Sequence, residues 1–250
     1  MSSDCPGPDC PGVMCDRIAP RLPAGASLLQ SPTTPYNSPN FLTTPEDSSM
    51  KLYYTPGACS VSPHIALREA GLTFDLVKVD LKAKKTEHGE DYLAINPKGY
   101  IPALGLDNGE LLCEGAAIVQ YIADQKPDSG LAPKAGTMQR YRLQEWLTFI
   151  GTELHKGFSP LYNPAIPDDI KKIFRDRLML RWGVVDKDLA GKSFLMGEQF
   201  TVADAYLFNM TLWAKRGNLD MSGLTNINAF AARVAARPTV QAAMKAEGLI

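Results

Sequence analysis

The chain has 250 residues, 45% hydrophobic and 21% charged, with a formal net charge of −1. These are the values of an ordinary globular protein with room for two modest domains. That charge excludes a general nucleic-acid binder, which carries a basic excess, and no apolar run approaches the length of a membrane span. The five cysteines are an odd number in a long chain, which argues against a disulfide framework and favours a reducing, cytoplasmic compartment.

Residues 1–49 differ in kind from the rest. They hold nine of the nineteen prolines and many Ser and Thr residues. No stretch there has the apolar period of a helix or strand, so a disordered extension is expected. The segment lacks the basic start and apolar core of a secretion signal, and its acidic residues fit poorly with a transit peptide. Cys5, Cys10 and Cys15 are evenly spaced, but no second cluster or nearby histidine completes a zinc site, so no metal is expected. Met50 heads the first strand, and a translation start at Met50 is one reading of what precedes it.

From residue 50 to 126 strands and helices alternate. Lys51 to Tyr54 is a short β-type run leading into the Pro56-Gly57 turn, and His64 to Ala70 reads as a helix with Gly71 just past its end. Cys59 lies at or just before that helix's N-terminus, where free N–H groups and the helix dipole favour a thiolate. Ser62 stands where a C-x-x-C pair would have its second cysteine. A lone thiol there needs an outside thiol or electrophile; the other reading is a buried structural cysteine. Phe74 to Val79 alternates apolar and polar residues, as a half-buried strand does. A basic loop follows (Lys82, Lys84, Lys85), then a short helix ending near Asn96. Ile101–Leu104 and Glu110–Cys113 flank the turn signal Asp107-Asn108-Gly109, a hairpin by its chemistry. Gly115 to Asp124 closes the unit as a helix, giving a small mixed sheet with helices on both faces.

Residues 127–134 read as a linker, and 135–250 as an all-α domain. Thr137–Lys156 is a long helix, and apolar residues at 170, 173, 174, 178, 182, 185 and 189 form one 3.6-period stripe. Thr201 and Asp204 form an N-cap with a reciprocal acidic residue ahead of Ala205–Trp213. Shorter helices follow, broken at Arg237-Pro238.

Three features of the first domain bear on chemistry. Pro102 opens a strand with no N–H for the sheet, and a cis Ile101-Pro102 bond turns the Ile101 backbone outward to pair with an extended peptide. An ordinary edge-strand proline is the alternative. Glu114-Gly115 joins strand to helix, where helix N–H groups hold a carboxylate and Glu114 an amine; a residue complementing the helix dipole is the alternative. Lys84 and its neighbours offer cations for a second carboxylate, or are simply solvated. Together they describe a slot for a small peptide with two carboxylates, an amine and a thiol near Cys59.

From Met50 onward the chain resembles the bacterial beta-class glutathione S-transferases. The resemblance rests on the MKLYYTPGACS start, Asn96-Pro97-Lys98-Gly99, Ile101-Pro102, Glu114-Gly115-Ala116-Ala117-Ile118, Thr152-Glu153-Leu154-His155-Lys156 and the TVADAYLF run at 201–208. It implies a thioredoxin-like α/β domain followed by an all-α domain, an overall α+β fold in a homodimer. It also implies glutathione as co-substrate, with a small hydrophobic electrophile. By resemblance, Cys59 and Ser60 face the glutathione sulfur, and Tyr54 is a further candidate to hydrogen-bond it. Ile101 and Pro102 hold the cysteinyl unit, Glu114 and Gly115 the γ-glutamyl head, and Lys84 the glycyl carboxylate. His155 and Lys156 close over the thiol, and Thr148, Thr152 and Glu153 lie near the dimer seam. The implied reaction is conjugation of glutathione to electrophiles, a detoxification. Thiol–disulfide exchange or reductive dehalogenation through Cys59 is an alternative, and a non-catalytic binder of hydrophobic ligands a third reading.

Overall fold

The computed structural model describes residues 50–250; the disorder and the Cys5, Cys10 and Cys15 spacing considered for residues 1–49 lie outside the described residues. The first domain is built on a five-stranded sheet in the order β3-β2-β1-β4-β5. Its strands are β1 (Met50–Tyr54), β2 (Phe74–Asp80), β3 (Lys85–Thr86), β4 (Ala103–Gly105) and β5 (Leu111–Cys113). β2 runs parallel to β1, while β4 pairs antiparallel with β1 and β5 antiparallel with β4. The β4–β5 connection is the expected hairpin, with Gly109 at φ 84° and Leu106 N–H donating to the Glu110 carbonyl. β3 falls inside the stretch read as a basic loop, because two residues are too few for a visible period.

Helices α1 (Val61–Glu69) and α3 (Gly115–Gln125) cover one face of the sheet and α2 (Tyr92–Ile95) the other. The parallel β1-α1-β2 unit needs a clean exit from α1. Gly71, at φ 64°, provides it: its N–H bonds to the Arg68 carbonyl and that of Leu72 to Leu67, a Schellman closure.

After a 3₁₀ turn at Pro127–Ser129, the second domain is helical: α4 (Met138–Phe149), α5 (Lys156–Tyr162), α6 (Asp168–Asp188), α7 (Val202–Arg216), α8 (Thr225–Ala235) and α9 (Pro238–Ala246). The single helix expected over 137–156 is interrupted. Between α4 and α5 the backbone takes a π-helical turn, Ile150–His155, and the rod continues to Tyr162. The apolar stripe of α6 is half right: Leu178, Trp182 and Val185 are buried, but Ile170 and Ile173 are 40% and 62% exposed. Periodicity shows that a helix has an apolar stripe, and it does not show whether the stripe's first turns meet the core or a partner.

The start of α7 bears out the capping reading. The Asp204 carboxylate accepts from the Thr201 N–H and hydroxyl, both at 2.8 Å, and from the Leu195 N–H at 2.8 Å. α7 is buried almost throughout its first nine residues, packing against α1 across the domain boundary. One apolar core therefore runs from the sheet through α1 and α3 into α4, α6 and α7.

Candidate active site

The site is organised by the turn between β1 and α1. Its Gly57 and Ala58 backbone is held from the second domain. Asn209 Nδ2 donates to the Ala58 carbonyl at 3.0 Å. Trp213 Nε1 and Arg216 Nη1 donate to the Gly57 carbonyl at 3.0 and 3.2 Å. From the other side, the Gly57 N–H donates to Glu247 Oε2 at 2.9 Å. Gly57 has φ 68°, and a Cβ there would collide with the Arg216 guanidinium, so both conformation and space call for glycine. Glu247 is the C-cap of α9, set by a second Schellman closure through Gly248 and Leu249. Its other oxygen lies 2.8 Å from His64 Nδ1, and Arg68 Nε donates to His64 Nε2 at 2.9 Å. With Nε2 an acceptor, His64 carries its proton on Nδ1 and donates it to Glu247. Asn209, Trp213, Arg216 and Glu247 are not apparent as anchors in the sequence, because each is separated from the turn by more than a hundred residues.

Cys59 follows directly. Its Sγ lies 3.3 Å from the Ile101 carbonyl, donating to it, and Ile101-Pro102 is cis. The N–H groups of the helix start do pull the Cys59 thiol toward a thiolate, but burial opposes them. Burial pushes the thiol up to about 11, against the N–H groups of Cys59 and Ser60 and the charge of Lys156. Removing a sulfur anion from water outweighs a few oriented dipoles here.

Ser60 corrects an expectation. Its hydroxyl is fully buried, donating to the Thr55 carbonyl at 3.2 Å and accepting from the Thr55 N–H at 3.3 Å. It closes the turn, and what Ser60 offers sulfur is its backbone N–H. Tyr54 is also displaced from its expected role. Strand alternation points it into the core beneath α1, whereas Cys59 packs against the opposite cluster, which holds Tyr53, Tyr92 and Ile101.

Glu114 and Lys84 share an unusual property. With Asn218 they are the non-glycine residues at positive φ among the described residues, Glu114 at 71° and Lys84 at 55°. Such backbone costs an L-residue roughly 1–3 kcal/mol, and Glu114 pairs this with a side chain 73% exposed beside Lys98. Gly115 begins α3, with Pro102 packed 3.8 Å from its missing Cβ position. Lys84 Nζ donates to the Gly99 carbonyl at 2.9 Å, at the mouth of the loop that leads to Ile101.

The π-helical turn carries His155, with Lys156 opening α5. The charges of Lys156 and Glu114 act at both Cys59 and His155, so the thiol and the imidazole lie within reach of the same two charges. His155 stacks edge-on against Trp213, ring centroids 4.8 Å apart, and Trp213 also holds Gly57. Thr148 and Thr152 face out from the helix, joined by the Thr152 hydroxyl donating to the Thr148 carbonyl at 3.0 Å. Glu153 turns to α6, where Arg181 Nε donates to it at 2.6 Å and Arg177 at 3.4 Å. Among the described residues, no group of three or more His, Cys, Asp or Glu side chains is arranged to hold a metal, and no helix is long and apolar enough to cross a membrane.

A cysteine between β1 and α1, bonded to the carbonyl of the residue ahead of a cis-proline and followed by a helical domain, defines a two-domain protein of the thioredoxin-like class. Comparison with known proteins is narrower. The model of the Glutathione S-transferase, N-terminal domain matches residues 48–124, and that of the Glutathione S-transferase, C-terminal domain matches residues 149–238. Glutathione S-transferase GstA of Escherichia coli O157:H7 is 50% identical over 200 residues, 80% of this chain and all of the relative. A sphingomonad glutathione S-transferase solved with glutathione is 50% identical, with TM-score 0.77 over 80% of this chain and 100% of its own. A beta-class glutathione S-transferase of Sphingomonas chungbukensis is 51% identical, with the same TM-score and coverage. The chain belongs to the glutathione S-transferase family, with the bacterial beta class among its structural neighbours.

Proposed function

We propose that this glutathione S-transferase binds reduced glutathione along the Ile101 backbone and directs its thiolate at small hydrophobic electrophiles, as a cytoplasmic homodimer with a detoxifying role. The observation that carries the reading is the 3.3 Å approach of Cys59 Sγ to the Ile101 carbonyl. A peptide that pairs with Ile101 as an added strand sets its own middle residue beside Cys59. The donors suited to a sulfur anion there are the N–H groups of Cys59 and Ser60 and the ring of His155. The glutathione S–H bond breaks with its proton leaving to solvent, and the sulfur lone pair attacks the electrophilic carbon as the leaving group departs.

The Cys59 thiol ranks conjugation above exchange. Burial holds the Cys59 thiol well above its ordinary range, so its thiolate is scarce at neutral pH. Exchange with a disulfide runs on that thiolate, whereas conjugation runs on the thiol of glutathione. The test is conjugation to a generic aryl halide, comparing the full chain with Cys59→Ala. The variant is expected to keep a substantial share of the activity. Complete loss with glutathione still bound would put Cys59 in the chemical step, and no activity in either protein would sink the conjugation reading.

Glu114 and Gly115 take the γ-glutamyl head, with Lys84 and Lys98 nearest for carboxylates. A carboxylate kept on glycine-like backbone is what a ligand contact would justify. Glu114→Gly should therefore raise thermal stability or leave it unchanged while weakening glutathione by about 1.5–3 kcal/mol, the value of a charged hydrogen bond. Calorimetry showing unchanged affinity would place the amine elsewhere.

The dimer reading draws on exposed apolar residues of the second domain. Met138 and Tyr141 on α4, and Ile173, Leu180 and Val184 on α6, are all between 49% and 70% exposed. They recur at helical three- and four-residue spacings, as a seam does. A Leu180→Glu and Val184→Glu double variant is expected to halve the mass measured by light scattering; an unaltered mass would move the seam off α6.

A further inference from the structure

The ring of His155 is held by a tyrosine that the sequence presents only as part of a buried helix. His155 Nδ1 lies 2.6 Å from the Tyr206 hydroxyl. Tyr206 is 6% exposed, and His155 is the hydrogen-bond partner of its hydroxyl among the described residues. Two arrangements fit that distance: the phenol donates to the imidazole, or the imidazole Nδ1–H donates to the phenol oxygen. In the second, the phenolic proton is left without an acceptor in a buried place, which costs roughly 1–3 kcal/mol. In the first, one bond satisfies both groups. The groups are also kept in the states this requires. Burial, and then the charge of Lys156, push His155 down to about 4, with Glu114 opposing. Burial, then the charges of Cys59 and Glu114, push the Tyr206 hydroxyl well above the usual phenol range.

We infer that Tyr206 is a positioning residue that locks His155 in its Nε2–H tautomer, so that the imidazole meets the cleft as a neutral donor and never as a base. Nε2 then carries the ring's single proton, and it has no partner among the described residues. Its role at the sulfur rests on the placement of His155 proposed above. A neutral donor solvates a sulfur anion without bringing a second charge into a buried site, and it cannot accept the thiol proton, which goes to water.

Three histidines make the test tractable by long-range ¹H–¹⁵N NMR on the full chain at neutral pH. His64, fixed as Nδ1–H by Glu247 and Arg68, is an internal standard of the opposite tautomer. The wild-type His155 is expected to show the Nε2–H pattern. In Tyr206→Phe it should shift toward a mixture of tautomers while the His64 signals stay in place, which also reports that the fold survives. A wild-type His155 in the Nδ1–H form, or a His155 pattern unmoved by Tyr206→Phe, overturns the assignment. The same variant should raise the thiol pKa of bound glutathione, read from thiolate absorbance, and lower kcat about threefold to tenfold, with KM for glutathione little changed. A tautomer that shifts while the thiol pKa does not would leave the lock standing and remove His155 from the sulfur.

Discussion

Glu247→Ala is expected to cost the folded chain about 3–5 kcal/mol and to loosen the turn that carries Cys59. The side chain is wholly buried, and its two oxygens take the Gly57 N–H and the His64 Nδ1–H. Alanine leaves both donors without an acceptor, and a buried unpaired donor costs about 1–3 kcal/mol. His64 cannot turn its ring to compensate, because Arg68 already donates to its other nitrogen. Glu247→Gln offers one acceptor oxygen to two donors and should fall between. Denaturant unfolding reads the stability and glutathione titration the turn; a loss under about 1 kcal/mol would mean that α7 alone is sufficient to hold Gly57.

Asp204→Ala should be comparably severe, about 3–5 kcal/mol at neutral pH, because three donors converge on one buried carboxylate. At roughly 2–4 °C per kcal/mol for a chain of this size, Tm falls by about 6–20 °C. This residue also has a signature in pH. Burial outweighs the donors and pushes its carboxyl up from 3.8 to about 6. Between about pH 4 and pH 6 the folded chain therefore binds a proton that the unfolded chain has released. Asp204 thus makes stability fall as pH rises through that window. Asp204→Ala removes that slope; an unchanged slope would assign it to another group.

What could be read from the sequence was local. The Pro-Gly turn, the cysteine before α1, the hairpin glycine and the Thr201–Asp204 cap each announce themselves within a few residues, and each is found in place. The Ile101-Pro102 strand start and the Glu114-Gly115 junction of strand and helix are legible for the same reason, although nothing in the order of residues marks the positive φ of Glu114. The gaps are of two kinds. A helix start alone speaks for a thiolate at Cys59, and resemblance alone for the Ser60 hydroxyl at sulfur, whereas burial bears on both: it leaves the hydroxyl to Thr55 and pushes the thiol up. The turn's anchors and the His155–Tyr206 bond were invisible because they join distant segments. The π-helical turn had no signal, since Ile150-Gly151-Thr152-Glu153 suits an α-helix nearly as well.

The bond from Gly57 to Glu247 spans 190 positions, and those from Asn209, Trp213 and Arg216 span 151 to 159. During synthesis the sheet-bearing domain leaves the ribosome first, yet its cysteine turn then has none of these partners. Contacts of such separation form late, so the domain can acquire its sheet well before it acquires a competent site. The two halves are thus not interchangeable modules: a first domain grafted onto a foreign helical bundle would keep its strands and lose its geometry at Cys59.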